Sequence, residues 1–371
     1  MRIQHGVGLA LIVVVAGSGC ERGRKQPPPP PPPGVSTTAR PAETAATVAP
    51  ALDVVQVRAL FKPLPSRFDT PENPATPEKI SLGRMLYFDP RLSKGQDLSC
   101  ASCHHLDQGG ADVERFSSGH KGQLGGRNSP SVFNAAGQIA QFWDGRAPTV
   151  EEQAKGPVLN PVEMAMPDPA YVVEVLSSIP GYVDAFARAF PGEAKPLTYE
   201  NLGRAIGAFE RGLVTPTRFD ALLAGQDDAL APAEGAGLAL FVSTGCAGCH
   251  NGPLVGGSMY MKLGLVQPYE NTKDQGRFDL TKNEAERMFF KVPTLRNVER
   301  TAPYFHDGSI PDLASAVRSM ARLQLGRQLS DAQVTSIVTF LGTLTGAPPA
   351  DYIAKPVLPR AGPNTPKPDR S

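Results

Sequence analysis

Cys100-Ala-Ser-Cys103-His104 and Cys246-Ala-Gly-Cys249-His250 are two pentapeptides of one form, C-x-x-C-H. In such a motif the two thiols form thioether bonds to the vinyl groups of a haem, and the imidazole that follows binds the iron from the proximal side. Chance is a poor explanation. Random placement of 5 Cys and 6 His in 371 residues yields about 0.001 such motifs, and this chain has two. Two covalently held haems define a protein that moves electrons.

The remaining composition narrows the possibilities. A length of 371 residues allows two domains, each with its own core, and 41% hydrophobic with 20% charged residues is ordinary for a globular protein. A formal net charge of +1 without a long basic run gives no nucleic-acid footprint. Four of the five cysteines belong to the two motifs, so no disulfide framework is left. A structural zinc module built on two C-x-x-C pairs is the rival reading. Such pairs stand about 15–20 residues apart, far closer than Cys103 and Cys246.

Residues 1–19 read as an export signal. Arg2 supplies the positive start, Val7 to Ala16 the apolar core, and Gly17-Ser18-Gly19 a small-residue exit. The apolar stretch is too short to span a bilayer. Cys20 follows at once, as in the lipobox of bacterial lipoproteins, although Gly17 stands where Leu is usual; the alternative is ordinary cleavage that leaves a free thiol. Export suits c-type haem, which is attached outside the cytoplasm, so a periplasmic location is expected, with a lipid anchor at Cys20 if that residue is modified. Residues 20–55, with seven consecutive prolines from Pro27 to Pro33, read as a disordered polyproline linker. Residues 347–371, again Pro-rich, are expected to form a disordered tail.

Between these ends the periodicity is helical. Thr76-Pro77-Glu78 opens one helix; Tyr171 to Ile179 and Tyr182 to Phe190 form two more around Pro180. Leu202, Ile206, Phe209 and Leu213 make an apolar stripe, and Ser330 with Gln333 forms a capping box for a last helix. Long Gly- and Pro-rich stretches, 107–131 and 251–280, lie between, and no run of alternating strands is present. Each C-x-x-C-H follows a helical segment, Leu82 to Phe88 before the first and Gly237 to Phe241 before the second. An internal repeat follows from this: a mainly α chain of two cytochrome c-like haem domains with long loops, 56–213 and 214–346, joined near Pro216.

What each haem does depends on the residue opposite His104 or His250. Around the first motif stand Gly119-His120, then Asn128-Ser129-Pro130-Ser131-Val132-Phe133-Asn134, Gln141-Phe142-Trp143-Asp144-Gly145-Arg146, Glu152-Gln153 and Val162-Glu163-Met164. Around the second stand Val292-Pro293-Thr294-Leu295-Arg296-Asn297, Thr301-Ala302-Pro303-Tyr304-Phe305-His306-Asp307-Gly308 and Met320. This order of motifs, over roughly residues 56–346, resembles the bacterial di-haem cytochrome c peroxidases.

The resemblance implies the following. The His104 haem is the low-potential, peroxidatic one; His120 matches a distal ligand that occupies the sixth position at rest and leaves to admit peroxide. Gln153 and Glu163 match the distal polar pair, the carboxylate moving a proton between peroxide oxygens and the amide orienting the peroxide. Taken alone, Glu163 reads as a surface carboxylate and His120 as an exposed loop residue. Met320 matches the thioether ligand of the high-potential His250 haem; spacing alone does not select it over Met259 or Met261, and the related tryptophan-modifying branch has Tyr at that place. Trp143, which by default is a core residue, matches a ring between the haems. Asn128, with the carbonyls of Thr301 and Pro303, matches a Ca²⁺ site of oxygen ligands. His306 is given no catalytic role, and His105 is expected to face solvent.

The expected activity is reduction of hydrogen peroxide to water, with electrons from a small c-type cytochrome or cupredoxin, in a homodimer. A pure electron carrier with two permanently six-coordinate haems is the rival, and it leaves the Gln153–Glu163 pair without a task.

Overall fold

Thr76, Thr149, Asp168, Thr198, Asp312 and Ser330 each stand just ahead of a helix, with a side-chain oxygen accepting a backbone N–H of the first turn. Short polar caps of this kind satisfy donors that a helix start leaves free. The computed structural model describes residues 51–371. The expected signal over 1–19, Cys20 and most of the Pro-rich linker lie outside the described residues. The helices are α1 (Val54–Leu60), α2 (Pro77–Tyr87), α3 (Val150–Leu159), α4 (Pro169–Ser177), α5 (Pro180–Ala189), α6 (Tyr199–Glu210), α7 (Arg218–Leu223), α8 (Pro232–Thr244), α9 (Arg277–Thr281), α10 (Leu313–Leu325), α11 (Asp331–Gly342) and α12 (Ala350–Ile353). Strands β1 (Tyr260–Lys262) and β2 (Phe289–Lys291) form one antiparallel pair in which Tyr260 opposes Lys291. The architecture is mainly α, as expected, and the capping box at Ser330 and Gln333 is present. Among the described residues no helix is long and apolar enough to cross a membrane.

Two hydrophobic cores lie along the chain. Leu82, Leu86, Tyr87, Tyr182, Phe186, Leu202, Ile206 and Phe209 belong to the first, which packs α2, α4, α5 and α6. Phe219, Leu238, Phe241, Ile337 and Phe340 belong to the second, which packs α7, α8 and α11. The two are built alike at one telling point. A β-carbon on Gly83 of α2 would lie 1.9 Å from the Ala205 carbonyl oxygen of α6. A β-carbon on Gly237 of α8 would lie 2.0 Å from the Ser336 carbonyl oxygen of α11. In both places the helix leading to a haem motif crosses a later helix backbone to backbone, and only a residue without a side chain permits that approach.

The repeat extends into the loops. Residues 129–134 and 292–297 share the form x-Pro-Ser/Thr-x-x-Asn, and both asparagines are left-handed, with φ of 58° at Asn134 and 61° at Asn297. Their side-chain amides donate to one acceptor, the hydroxyl of fully buried Thr215, at 2.7 and 2.8 Å. Gln141 bridges Ala147 as Tyr304 bridges Ile310, with positive φ at Phe142 and Phe305. Trp143 and His306 are therefore equivalents in the repeat, and their rings meet edge to face at 6.4 Å.

Two expectations need correction. Residues 347–371 do not form a disordered tail: Tyr352 of α12 stacks on Phe209 at 5.2 Å and donates to the Phe209 carbonyl at 2.7 Å. Farther on, the Ser178 hydroxyl donates to Thr365 Oγ1 at 2.9 Å, and Asp369 N donates to the Lys94 carbonyl at 2.9 Å. A Pro-rich composition cannot build a core, but it can lie along one already formed. At the other end α1 begins inside the span expected as linker, and Val57 and Phe61 pack into the second core, not the first.

Candidate active site

Each C-x-x-C-H opens in a short 3₁₀ turn, Cys100–Ser102 and Cys246–Gly248, in which His104 N donates to Cys100 O and His250 N to Cys246 O, at 2.9 and 3.0 Å. The turn sets both thiols and the imidazole on one short stretch of chain. His250 Nδ1 donates to the Val255 carbonyl at 3.3 Å, which leaves Nε2 as the lone-pair nitrogen. Burial pushes the His250 imidazole down to about 4 and lowers that of His104, so both are neutral and fit to ligate. The Tyr87 hydroxyl fixes the His104 carbonyl at 2.8 Å, and the Ser129 hydroxyl lies 3.4 Å from His104 Nδ1. Burial pushes the Cys246 thiol up to about 11; as thioethers the sulfurs need carry no charge. The donor set and its placement fit covalent haem at both sites.

The surroundings of the two imidazoles differ in kind. His250, Cys246 and Cys249 line a largely apolar cleft with Met320, Met261, Leu263, Phe290, Leu325 and Leu341. Met259 does not line it. Met320, on α10, packs with Trp143 against the cluster of Leu263, Met288, Phe290, Phe305 and Leu323. Trp143 also lines the cleft, and its indole N–H donates to the Asn128 carbonyl at 2.9 Å.

Near the first motif the lining is polar. A cavity of about 300 Å³ is lined by Glu163, Asn160, Arg146, Phe142, Glu152, Gly156 and Pro157. Glu163 lies in a tight turn after α3 that Asn160 builds: Asn160 Oδ1 accepts Val162 N at 3.0 Å, and Asn160 Nδ2 donates to Glu163 Oε1 at 2.8 Å. Burial raises the Glu163 carboxyl above the usual carboxylate range, against the opposing pull of Arg146 and the Asn160 hydrogen bond. His120 is buried, and its backbone N–H donates to the Glu163 carbonyl at 2.7 Å. A β-carbon on Gly119 would stand 2.0 Å from the Val162 carbonyl oxygen, so the His120 loop and the Glu163 turn run in direct backbone contact. Gln153 lies half-buried on α3 and does not line the cavity. Its helix is pinned by Glu151, which accepts from Arg211 at 2.7 and 3.0 Å and from Asn73 at 3.0 Å in a buried network.

Asn128, Thr301 and Pro303 line the same cleft. The Asn128 amide nitrogen donates to the Glu114 and Arg115 carbonyls at 3.3 Å each, which orients Oδ1 away from them. Among the described residues no group of three or more His, Cys, Asp or Glu is arranged to hold a metal ion, so a cation here would rest on amide and carbonyl oxygens. His306 is buried, stacks on Phe290 at 4.2 Å, and leaves Nε2 without a hydrogen-bond partner. His105 is part-exposed, its backbone bridging Ala111. The motif Trp143-Asp144-Gly145-Arg146 puts Arg146 in the cavity, where its guanidinium bonds Asp144 at 3.1 Å; the sequence displays the residue but carries no signal for that placement.

A mainly helical chain with two covalent haem sites, one His/Met-lined and one beside a polar cavity, is a di-haem c-type oxidoreductase. Comparison with known proteins gives the family. Residues 77–228 match the family model described as di-haem cytochrome c peroxidase. The chain is 46% identical over 319 residues to the cytochrome c551 peroxidase of Pseudomonas aeruginosa, covering 84% of this chain and 91% of that one. It is 47% identical over 305 residues to the cytochrome c551 peroxidase of Nitrosomonas europaea, covering 82% and 89%. Among solved structures, a MauG-like protein associated with microbial copper homeostasis superposes with a TM-score of 0.71 at 27% identity, covering 79% of this chain and 97% of that one. The chain belongs to the di-haem cytochrome c peroxidase family and is, with it, an oxidoreductase of the peroxidase class carrying two haem c groups.

Proposed function

We propose that this protein reduces hydrogen peroxide to two waters in the periplasm, with two electrons from a small c-type cytochrome or cupredoxin and two protons from solvent. The observation that carries this reading is an asymmetry: an apolar cleft lined by His250 and Met320 on one side, and on the other a polar cavity lined by the half-buried Glu163, whose backbone carbonyl bonds the His120 loop. The haems supply the iron and the stored electrons. Cys246, Cys249, His250 and Met320 would hold the electron-input haem, and Cys100, Cys103 and His104 the peroxidatic one, with His120 as its resting ligand.

The side chains divide the remaining tasks. Glu163, as carboxylate, takes a proton from one peroxide oxygen and returns it to the other as that oxygen leaves as water. Its raised proton affinity suits it to both halves of the transfer. Gln153 would orient the peroxide, as the family match implies, a role that requires α3 and the His120 loop to shift, since Gln153 does not line the cavity. Because His120 and Glu163 share a backbone hydrogen bond, the movement that frees one repositions the other. Trp143, which lines the His250 cleft, would carry the electron's path toward the His104 haem. Asn128 Oδ1 and the carbonyls of Thr301 and Pro303 would hold Ca²⁺, amide and carbonyl oxygens suiting a hard cation at low ligand charge. The reading includes a homodimer and, at Cys20, a lipid anchor.

The deciding experiment is peroxidase turnover of the di-haem protein with a reduced small cytochrome, with and without prior one-electron reduction. Turnover supports the reading. Electron exchange with the cytochrome but no peroxide consumption in either state leaves a pure electron carrier and overturns it.

A further inference from the structure

Lys291 closes β2 and lines the His250 cleft with only 6% of its surface exposed. Its ammonium donates to Gln138 Oε1, a neutral amide oxygen. No carboxylate among the described residues lies within ion-pair distance; Asp144 acts on it only from farther away. Burial lowers the ammonium to about 7. The other cation of the cleft differs: Arg296 is saturated by Asp220 at 2.6 and 2.8 Å and by the Pro253 carbonyl at 3.0 Å.

A buried ammonium without a counter-ion is strongly disfavoured. The cofactor of this cleft carries two propionate groups, so the missing negative charge is supplied by the haem itself. We propose that Lys291 binds a propionate of the haem attached at Cys246 and Cys249 and is the ionic anchor of that cofactor. The pair is charge-assisted and desolvated, the condition under which such a bond is strong. Lys291 N also donates to the Trp143 carbonyl at 2.8 Å, so the anchor fixes the propionate edge relative to the ring between the two haems. A fixed positive charge beside the haem favours the ferrous state, so Lys291 raises that haem's midpoint.

This assignment rests on the proposed function in taking the His250 haem as the one of higher potential. The test is redox titration of the holoprotein carrying Lys291→Met, Lys291→Gln, Lys291→Arg or Met320→His, with haem content counted by mass spectrometry. The expected result is a lower higher-midpoint in Lys291→Met and Lys291→Gln, an unmoved lower one, two haems and an unaltered His/Met spectrum. Lys291→Arg keeps the charge and most of the midpoint. Unmoved midpoints in both neutral variants overturn the proposal, as does a fall in Lys291→Arg as large as in Lys291→Met, which marks loss of packing. Met320→His separates the two claims. If it moves neither midpoint, the ligand assignment fails, and the anchor is judged on whether either neutral variant lowers a midpoint.

Discussion

Glu163→Gln separates proton transfer from architecture. Gln keeps the size of the side chain and an amide oxygen that can still accept from Asn160 Nδ2, the 2.8 Å contact that orients Oε1. The turn is also held by the backbone, His120 N to Glu163 O at 2.7 Å and Lys94 N to Met164 O at 2.8 Å, and neither bond involves the side chain. What disappears is the base. General acid–base groups contribute typically about 10²–10⁴-fold, equivalent to about 2.7–5.4 kcal/mol of barrier at 1.36 kcal/mol per decade. Turnover should fall by that factor while both haem spectra persist. Stability should move the opposite way. A carboxyl whose proton affinity is raised by folding contributes stability below the pH at which the unfolded chain ionises, and loses it as pH rises through the folded value. Above its folded value the ionised Glu163 therefore opposes folding, and Gln removes that penalty. In the parent, kcat should fall as pH drops through a value above the usual carboxylate range; that acid limb should vanish in the variant. Steady-state kinetics across pH and urea unfolding are the assays. Near-parental turnover with the acid limb intact would refute the assignment.

Met320→His should keep a six-coordinate low-spin haem and lower the higher midpoint, because a thioether favours ferrous iron more than imidazole does; an unmoved midpoint transfers the ligand role to Met261, the other methionine of the cleft. Gly83→Ala and Gly237→Ala each drive a β-carbon to about 2 Å from a backbone oxygen, and each should cost about 1–3 kcal/mol, as overpacking does; unchanged thermal unfolding in both would contradict the crossing geometry. Tyr352→Ala removes an aromatic pair worth about 0.5–1.5 kcal/mol and a hydrogen bond of about 0.5–1.5 kcal/mol. A loss of about 1–3 kcal/mol in urea unfolding is expected with peroxide turnover unchanged, and an unshifted midpoint would show that the tail lies free in solution.

The haem attachment sites were legible because the chemistry is written in adjacent residues: two thiols and an imidazole act within five positions. Helices with an apolar stripe and a capping residue, such as α6 and α11, could be read for the same local reason. Helix α10, which carries Met320, was not read as a helix, nor α3, which carries Gln153. The latter is interrupted by Gly156 and Pro157, and its place depends on the Glu151–Arg211 contact across the fold. Met261 on β1 and Met320 on α10 come from distant parts of the chain to line the cleft with His250, a non-local fact. The kinship of residues 129–134 with 292–297 stood in the sequence as the shared Pro-Ser/Thr-x-x-Asn, a signal that gains meaning once both asparagines converge on Thr215. Arg146 and Lys291 were visible as charges, but burial turns a charge into a site, and burial is set by residues far away in the chain.

The two ends of the described chain each serve the opposite half. Helix α1 fills the second core, and the stretch from α12 onward covers the first, with Tyr352 capping Phe209. The consequence is one of order in time. As the chain emerges N-terminus first outside the cytoplasm, α1 waits unpaired until α7, α8 and α11 follow, and the face of Phe209 stays bare until Tyr352 arrives. Neither half closes before the other is almost complete. Cutting at the junction near Pro216 would strand α1 on the wrong fragment and expose an aromatic face on the other, so the two halves mature as a single cooperative body although each carries its own cofactor.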